Sequence, residues 1–585
     1  MRRASGLLLL VLLLPGCDAG GGTGTLDAGS GPGRRDGGAG GGGDSCIPGE
    51  VKSCTEDSKA LICNAEGNGF VERGCPVGTY CDGTSCLPQA CTPGALTCRD
   101  GQTALLCDSR GTTWEKTIAC DASRQESCVN GECVTECELA RRKSSYIGCE
   151  YYAVHLDNVD GSGSIAAASD QPITLVASNT STTQAEFTVY NPTCGAVAAC
   201  TAVKVPPKGT AQCSIKDLVR PSGVMNKAYR LVSNRPLTVY QFNPLNNVNV
   251  YSNDGSLLLP VHVAAQQYYA LTWKQVSTAP AQVVIVAVEE GTTSVTVNST
   301  TSIAAGTGFA ALSAGQSRTV ELQRGQLLSL STGGAGSDLT GTFIEATRPV
   351  LVFGAHRCAN VGVVNGSPAS YCDHVEEQLF PIATWGKVFV AARSADRPQS
   401  GTNVPDTFRV LASSDNTQLT TNPPLPGFPV TLQKGKWHEF ESNKDFELTA
   451  TQPVSVAQFL PGSTYQNPNA STVHIGDPSM MLIPPTEQFR PDYVVVTPKS
   501  YTANFINIVQ PADADVRIDG VGLPAGVCQA VGTTSLQACR VPVVEGTHVI
   551  QAKKPVGVIL YGYAQDVSYG YVGGLDLKKI AGGFK

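Results

Sequence analysis

The feature that most constrains the fold of this chain is a proline-led apolar phrase that occurs four times. A β-strand tolerates proline at its first residue, where the missing N–H breaks no ladder hydrogen bond. Each phrase therefore predicts a strand that begins at its proline, within a repeat of about a hundred residues. The four copies, whose prolines lie 113, 104 and 102 residues apart, are Arg235-Pro236-Leu237-Thr238-Val239-Tyr240, Arg348-Pro349-Val350-Leu351-Val352-Phe353, Gln452-Pro453-Val454-Ser455-Val456-Ala457 and Lys554-Pro555-Val556-Gly557-Val558-Ile559.

Between these phrases, short β-branched and alternating runs are interrupted by Gly, Pro and Asn, a pattern typical of strands. Only 16% of the residues are charged, which is consistent with a chain dominated by strands and turns. Residues 283-288 with 294-297, and 408-412 with 418-420, are predicted to pair as hairpins. We expect an all-β fold of tandem β-sandwich-like repeats, with a β-propeller as the alternative closure. Within the region 137-585, the four repeats are expected at approximately 149-250, 251-372, 373-475 and 476-575.

A cysteine-rich repeat precedes the β-region. Each of its two units, at residues 46-90 and 91-136, is too small to bury an adequate core, so we expect three disulfides within each unit and none between them. Six cysteines allow fifteen pairings, and spacing alone does not select one. Zinc is the weaker alternative, because the spacings are wider than those of paired zinc knuckles. The cysteines are Cys46, Cys54, Cys63, Cys75, Cys81 and Cys86, then Cys91, Cys98, Cys107, Cys120, Cys128 and Cys133.

The N-terminus has the parts of a secretory signal: two arginines, an apolar run at residues 7-14, and Gly16 before Cys17. Segment 1-17 is similar to a bacterial lipoprotein signal, in which the cysteine thiol receives the lipid before cleavage. We therefore predict an exported lipoprotein whose lipidated Cys17 anchors it to a membrane. An ordinary signal peptide is the alternative.

Residues 18-45 are dominated by glycine and are expected to form a flexible tether. The body of the protein would then lie close to the membrane surface while remaining free of it. The predicted location is the outer membrane or the cell surface. The alternatives are the inner membrane facing the periplasm, or secretion.

One stretch resembles a known family. The segments Gly354-Ala355-His356-Arg357-Cys358 and Tyr371-Cys372-Asp373-His374-Val375-Glu376-Glu377-Gln378-Leu379-Phe380-Pro381 resemble the N-terminal domain of the IgG Fc-binding protein family. The resemblance covers roughly residues 149 to 575. It implies an extracellular binding or adhesive β module without an established catalytic role. It does not identify a ligand, because a likeness of fold does not specify what a protein binds.

The sharpest candidate metal site is formed by His356, Cys358, Cys372 and His374, since two imidazoles and two thiols are a zinc-type ligand set. We favour a disulfide between Cys358 and Cys372, because a cysteine pair of this spacing in an exported protein is usually bridged. A bridged pair leaves no thiolate for a metal. We therefore predict no metal site here.

The remaining cysteines of the β-region are predicted to pair locally. The expected pairs are Cys137 with Cys149, Cys200 with Cys213, and Cys528 with Cys539. If Cys17 is set aside as lipidated, an odd number of the 22 cysteines is left for the β-region. Cys194 is then predicted to be the spare thiol, either buried or used between molecules.

The sequence contains no recognised catalytic or cofactor-binding motif, such as a Gly-x-Ser-x-Gly elbow or a His-Glu-x-x-His helix. Its net charge is −7, and beyond the leader it lacks the basic footprint that nucleic-acid binding requires. We therefore predict a non-enzymatic surface protein without a cofactor, whose β-region binds a glycan, a matrix polymer or a surface protein. The alternative from another class is a secreted polysaccharide hydrolase with the cysteine-rich units as an accessory module.

Overall fold

The computed structural model describes residues 45–56, 59–161, 166–220, 222–364, 366–398, 403–465 and 474–580. The predicted signal, the Cys17 that is predicted to be lipidated, and nearly all of the tether lie outside these residues. The described chain divides into two compact units between Leu139 and Ala140. Among the described residues, no helix has the length and apolar character needed to cross a membrane.

The first unit contains two small disulfide-linked modules of the same design. In each, a three-stranded sheet (β1-β2-β3 or β6-β7-β8) is accompanied by a two-stranded ribbon (β4-β5 or β9-β10). The strands are β1 (Val51–Glu56), β2 (Lys59–Cys63), β3 (Phe70–Gly74), β4 (Thr79–Asp82), β5 (Ser85–Pro88), β6 (Leu96–Asp100), β7 (Thr103–Cys107), β8 (Trp114–Ala119), β9 (Glu126–Val129) and β10 (Glu132–Thr135). A 3-10 turn (Ala122–Arg124) and helix α1 (Glu136–Arg141) complete this part of the chain.

The disulfides of the two modules have the same connectivity. Within each set of six cysteines, the first pairs with the third, the second with the fifth, and the fourth with the sixth. All three bridges therefore lie within each module, as the sequence predicts, and the sulfur atoms that the zinc alternative requires are oxidised. The bonds are Cys46–Cys63, Cys54–Cys81, Cys75–Cys86, Cys91–Cys107, Cys98–Cys128 and Cys120–Cys133.

The second unit is all-β and consists of four repeats with the same strand order. The first has β11 (Gly148–Ala153), β12 (Ile173–Ser178), β13 (Ala185–Tyr190), β14 (Val203–Val205), β15 (Thr210–Ile215), β16 (Gly223–Met225), β17 (Tyr229–Asn243) and β18 (Asp254–Leu258). The second has β19 (Ala265–Tyr269), β20 (Ala281–Ala287), β21 (Thr293–Asn298), β22 (Ser317–Leu322), β23 (Leu327–Ser331), β24 (Phe343–Ala359), β25 (Val363–Val364), β26 (Ser367–Pro368) and β27 (Asp373–Gln378).

The third and fourth repeats follow the same plan. The third has β28 (Gly386–Ala391), β29 (Asp406–Ala412), β30 (Thr417–Asn422), β31 (Val430–Leu432), β32 (Trp437–Ser442), β33 (Phe446–Leu460) and β34 (Ser479–Ile483). The fourth has β35 (Arg490–Thr497), β36 (Ala503–Pro511), β37 (Arg517–Ile518), β38 (Val521–Gly522), β39 (Cys528–Ala530), β40 (Leu536–Val543), β41 (Gly546–Ala564) and β42 (Val567–Val572). Short 3-10 turns lie at Ala168–Asp170, Ala198–Cys200, Val261–Val263, Ile382–Thr384 and Thr486–Gln488.

Each repeat is built around one long strand: β17, β24, β33 or β41. In the first repeat, the early half of β17 pairs with β11 and β13, and its late half pairs with β12 and β18. The two halves of the sheet face each other across a core that includes Leu175, Phe187 and Leu231. The all-β, repeated architecture predicted from the sequence is therefore confirmed, with each repeat forming a half-barrel in which both layers share one strand.

The proline of each phrase lies in the middle of its long strand, so the prediction that a strand begins there is wrong. Pro236, for example, lies inside β17, between the residues that pair with Glu150 and with Gly148 of β11. The register shifts at this point, and the same shift occurs in the other three repeats. Because the strand changes partners here, the missing N–H of proline breaks no ladder hydrogen bond.

The two predicted hairpins are also wrong. Strands β20 and β21 both pair with β24, one with its late half and one with its early half. Strands β29 and β30 pair with β33 in the same way. Alternating patterns identify the strands in both places, but consecutive strands belong to opposite layers of the half-barrel.

The last strand of each repeat lies on the inside of a closed ring. Strand β18 contacts β27, β27 contacts β34, β34 contacts β42, and β42 contacts β18. Since each inner strand pairs with the long strand before it, the first three repeats extend about six to eight residues past the boundaries expected from the sequence. The chain ends of the ring meet directly, with the N–H of Tyr146 donating to the carbonyl of Leu575 at 3.3 Å.

Candidate binding grooves

A network of buried polar side chains occupies the axis of the ring. The carboxylate of Asp254 accepts hydrogen bonds from the Ser479 hydroxyl at 2.8 Å and from the N–H groups of Glu376, Met480 and Gly570, each at 3.1 Å. These donors belong to the other three inner strands. Burial raises the pKa of Asp254 well above its usual range. One side chain of the first repeat thus joins all four repeats at the centre.

The segment that carries the family resemblance forms β27 and lies in this network. Glu377 accepts hydrogen bonds from the Ser256 hydroxyl at 2.9 Å and from the N–H of Leu482 at 3.2 Å. Gln378 accepts one from the N–H of Leu259 at 2.8 Å. These side chains are fully buried and link the second repeat to the first and third. The buried side chains of β27 therefore stabilise the ring.

The candidate zinc ligands do not form a metal site. Cys358 and Cys372 are joined in a disulfide, the pairing that the sequence favours. Nδ1 of His356 accepts from the N–H of Cys358, and Nε2 of His374 lies 3.0 Å from the carboxylate of Glu376. Among the described residues, the one group of three potential ligand atoms is Cys91, Cys107 and Asp108, whose two sulfur atoms form a disulfide.

The structure also joins two other predicted pairs, Cys200 with Cys213 and Cys528 with Cys539. Cys137 and Cys149 are both disulfide-bonded. Cys194 is disulfide-bonded as well, so the prediction that it is a spare thiol is wrong. That prediction depended on setting Cys17 aside, and Cys17 lies outside the described residues.

A groove of about 540 Å³ opens at the seam where the fourth repeat meets the first. Its floor is one face of β12 and β15, because alternate residues of a strand point to the same side. Thr174 and Val176 of β12 lie opposite Ser214 and Gln212 of β15, and all four line the groove. The neighbouring residues Leu175 and Cys213 point the other way, into the core of the first repeat.

The walls of this seam groove come from both repeats. The hydroxyls of Thr210 and Thr547 lie 3.2 Å apart across the seam, and the side-chain amide of Asn247 donates to the carbonyl of Ser500 at 2.9 Å. Lys499 is an exposed cation on the wall. The groove is thus a fixed feature of ring closure, lined mainly by amide, hydroxyl and small apolar groups.

Sequence reasoning did not find the seam groove. The residues that the first repeat contributes are separated in the chain from those of the fourth repeat by several hundred residues, as Thr210 and Thr547 illustrate. None of them belongs to a recognised binding motif. The one available signal was the repeat register, since residues at equal distances from the four prolines occupy equivalent strands.

Comparison with known proteins assigns the chain to a family. A family model described as IgGFc binding protein matches residues 254–562, which is more than half of the chain. The IgGFc-binding protein of Homo sapiens is 27% identical over 236 residues, covering 40% of this chain and 4% of the human protein. The family match begins at the first residue of β18, so the cysteine-rich modules lie before it. The chain belongs to the IgGFc-binding protein family.

Proposed function

We propose that this chain is an exported surface protein that binds an extracellular glycan in the seam groove. The observation that carries the proposal is the groove itself, with about 540 Å³ of open volume and a lining that combines amide and hydroxyl side chains with small apolar groups. Such groups donate and accept hydrogen bonds at fixed positions, which suits a ligand rich in hydroxyls. A matrix polymer or a surface protein is the alternative ligand.

The residues that line the seam groove support a role in binding without catalysis. Hydrolysis of a glycosidic bond uses a pair of carboxyl groups on either side of the bond. Among the described residues that line the seam groove, Glu545 is the one carboxylate. The carboxyl groups that cluster elsewhere, such as Asp254 and Glu377, are fully buried in the axis of the ring.

We further propose that the protein is a bacterial lipoprotein, held to a membrane through Cys17. The nine disulfides with assigned partners support an exported protein, because such bonds persist in oxidising compartments. The leader sequence supports the lipid. An outer-membrane or surface location would expose the groove to extracellular polymers.

The test is a glycan and surface-protein array probed with the purified chain and with Gln212→Trp. Gln212 is exposed on the groove floor, so an indole there would fill the groove without entering the core. We expect the native chain to retain a set of glycans that Gln212→Trp loses. Gln418→Ala is the matched control, because Gln418 is an exposed strand residue of the third repeat that does not line the groove. Equal binding by all three proteins would contradict the proposal.

A further inference from the structure

The repeat register reveals a second groove equivalent to the first. Thr174 pairs with Phe242, and Thr407 pairs with Phe459. Each of these partners lies six residues after the proline of its repeat. Thr174 and Thr407 therefore occupy the same position in the first and third repeats. Thr407 lines a cavity of about 230 Å³ between the second and third repeats, which we call the second groove.

The edge strand and the wall correspond as well. Ser214 lies opposite Thr174 in the seam groove, and Glu441 lies opposite Thr407 in the second groove. On the walls, Lys499 and Lys274 each lie six residues after a tyrosine that pairs with an isoleucine of the long strand. Both lysines line their grooves. The two sites are thus the same surface in different copies of the repeat.

The other two interfaces of the ring have an additional strand where these grooves have an open edge. Strand β16 pairs with β23, which is the edge strand of the second repeat. Strand β39 pairs with β40, which is the edge strand of the fourth. The edges of β15 and β32 pair with no additional strand among the described residues. The open grooves therefore alternate with covered interfaces around the ring.

The second groove differs from the seam groove in charge. Glu439 and Glu441 stand where the seam groove has Gln212 and Ser214, and both point to the same face of β32. One oxygen of Glu439 accepts from Arg409 at 2.8 Å, and one oxygen of Glu441 accepts from the Tyr465 hydroxyl. Among the described residues, no hydrogen bond is found at the second oxygen of either carboxylate, which leaves that oxygen for another donor.

Thr407 gives a second and independent indication of a ligand. It is only 3% exposed, and its hydroxyl makes no hydrogen bond within the described residues although it lines the groove. A buried hydroxyl without a partner costs free energy unless something in the site bonds to it. Two residues along the same strand, Arg409 contacts the rings of Trp273 and Trp437 and forms ion pairs with Asp338 and Glu439.

We propose that the second groove binds an amino sugar, with the protonated amine at Glu439 and Glu441 and a sugar hydroxyl at Thr407. The proposal rests on the proposed function in taking a glycan as the ligand class, and it adds a separate site with a charge requirement. Carboxylates form strong, charge-assisted hydrogen bonds with ammonium groups. The ammonium group of Lys274, on the wall, repels a protonated amine. The Lys274→Gln variant should therefore bind the amino sugar more tightly.

The probe is a pair of oligosaccharides that differ in one group: a chitosan oligomer, with free amines, and the chitin oligomer of the same length, with acetylated amines. Titration calorimetry of the full chain at pH 6 should show chitosan binding at least tenfold tighter. Glu441→Gln should weaken chitosan binding at least tenfold, which is about 1.4 kcal/mol. Glu321→Gln, at an exposed carboxylate of β22 in the second repeat, should bind as the native chain does.

Three outcomes would overturn the proposal. Equal affinity for chitin and chitosan would show that the site does not require a charged amine. Native affinity in Glu441→Gln, with a native melting temperature, would place the amine elsewhere. Equal affinity for an oligolysine, which carries amines but no sugar, would show that the site does not recognise the sugar. Gln212→Trp separates this proposal from the proposed function, because it should abolish binding at the seam groove and leave chitosan binding unchanged.

Discussion

Asp254 and Ser479 are hydrogen-bonded across the axis of the ring, with the Ser479 hydroxyl 2.8 Å from Oδ1 of Asp254 although 225 residues separate them in the chain. The same carboxylate accepts the N–H of Gly570, 316 residues away. Contacts of this range can form only when all four repeats are assembled. Asp254 therefore reports on closure of the ring as a whole.

Asp254→Asn is expected to destabilise the ring by about 2 to 4 kcal/mol. Backbone N–H groups donate to both oxygens of Asp254, so either orientation of an asparagine amide would place its NH2 against a donor. Ser479→Ala removes one donor and should cost about 1 kcal/mol. Denaturant unfolding of the two variants measures both values. Equal effects of the two substitutions would show that Asp254 acts only through Ser479.

A second prediction concerns pH. Burial lowers the pKa of His356 to about 3. Its pKa in the unfolded chain is about 6.5, so below that value the unfolded state binds the additional proton and stability falls as the pH decreases. Between pH 6.5 and 5 this loss is about 1.6 kcal/mol, because the full slope of 1.36 kcal/mol per pH unit is reached only well below pH 6.5.

The comparison protein for this prediction is His356→Asn. Asparagine keeps an acceptor near the N–H of Cys358, which Nδ1 of His356 accepts at 3.0 Å, but it does not titrate. Unfolding measured at pH 6.5 and at pH 5 should show the native chain losing about 1.6 kcal/mol more than the variant. Contributions from the other buried groups are common to both proteins and cancel. Parallel losses in the two proteins would refute the assignment to His356.

The connectivity of the cysteine-rich modules is a third prediction. Non-reducing peptide mapping of the purified chain should recover Cys54 linked to Cys81, and Cys98 linked to Cys128. Replacing both members of the second pair with serine should destabilise its module by roughly 3 kcal/mol, since the bond closes a loop of moderate length. A peptide that links one module to the other would contradict the arrangement.

Lipid anchoring gives a fourth prediction. Cys17→Ser should move the protein from the membrane fraction to the soluble fraction, because the lipid is the proposed anchor. Immunoblotting of fractionated cells and metabolic labelling with a palmitate analogue measure the two consequences. Gly16→Ala, which keeps a small residue before the cysteine, is the control and should remain membrane-bound. Retention of Cys17→Ser in the membrane would exclude the lipid as the anchor.

The repeats could be predicted from the sequence because each proline phrase is local. Pro236 and its three counterparts correctly indicate four long strands. Local sequence does not show, however, that each strand changes partners at its proline. The hairpin predictions failed for the same reason, since adjacent strands pair with different halves of one long strand. The layer that each strand joins is determined by non-local pairing with the long strand and not by strand propensity.

The candidate sites were harder to predict than the fold. The segment containing Glu377 was identified as distinctive, but its burial in the axis follows from packing of four inner strands. Thr174 and Gln212 carry no motif and become a groove only when the fourth repeat closes on the first. The register that relates Thr174 to Thr407 lies in the sequence, yet it is visible only once the pairing of each strand is known.

Calorimetry with two matched variants decides whether the seam groove binds a ligand. A glycan selected by the array is titrated calorimetrically into the native chain, Gln212→Trp and Gln418→Ala. We expect at least a tenfold weaker affinity for Gln212→Trp, about 1.4 kcal/mol, with an unchanged melting temperature, and native affinity for Gln418→Ala. Native affinity in Gln212→Trp would contradict this expectation.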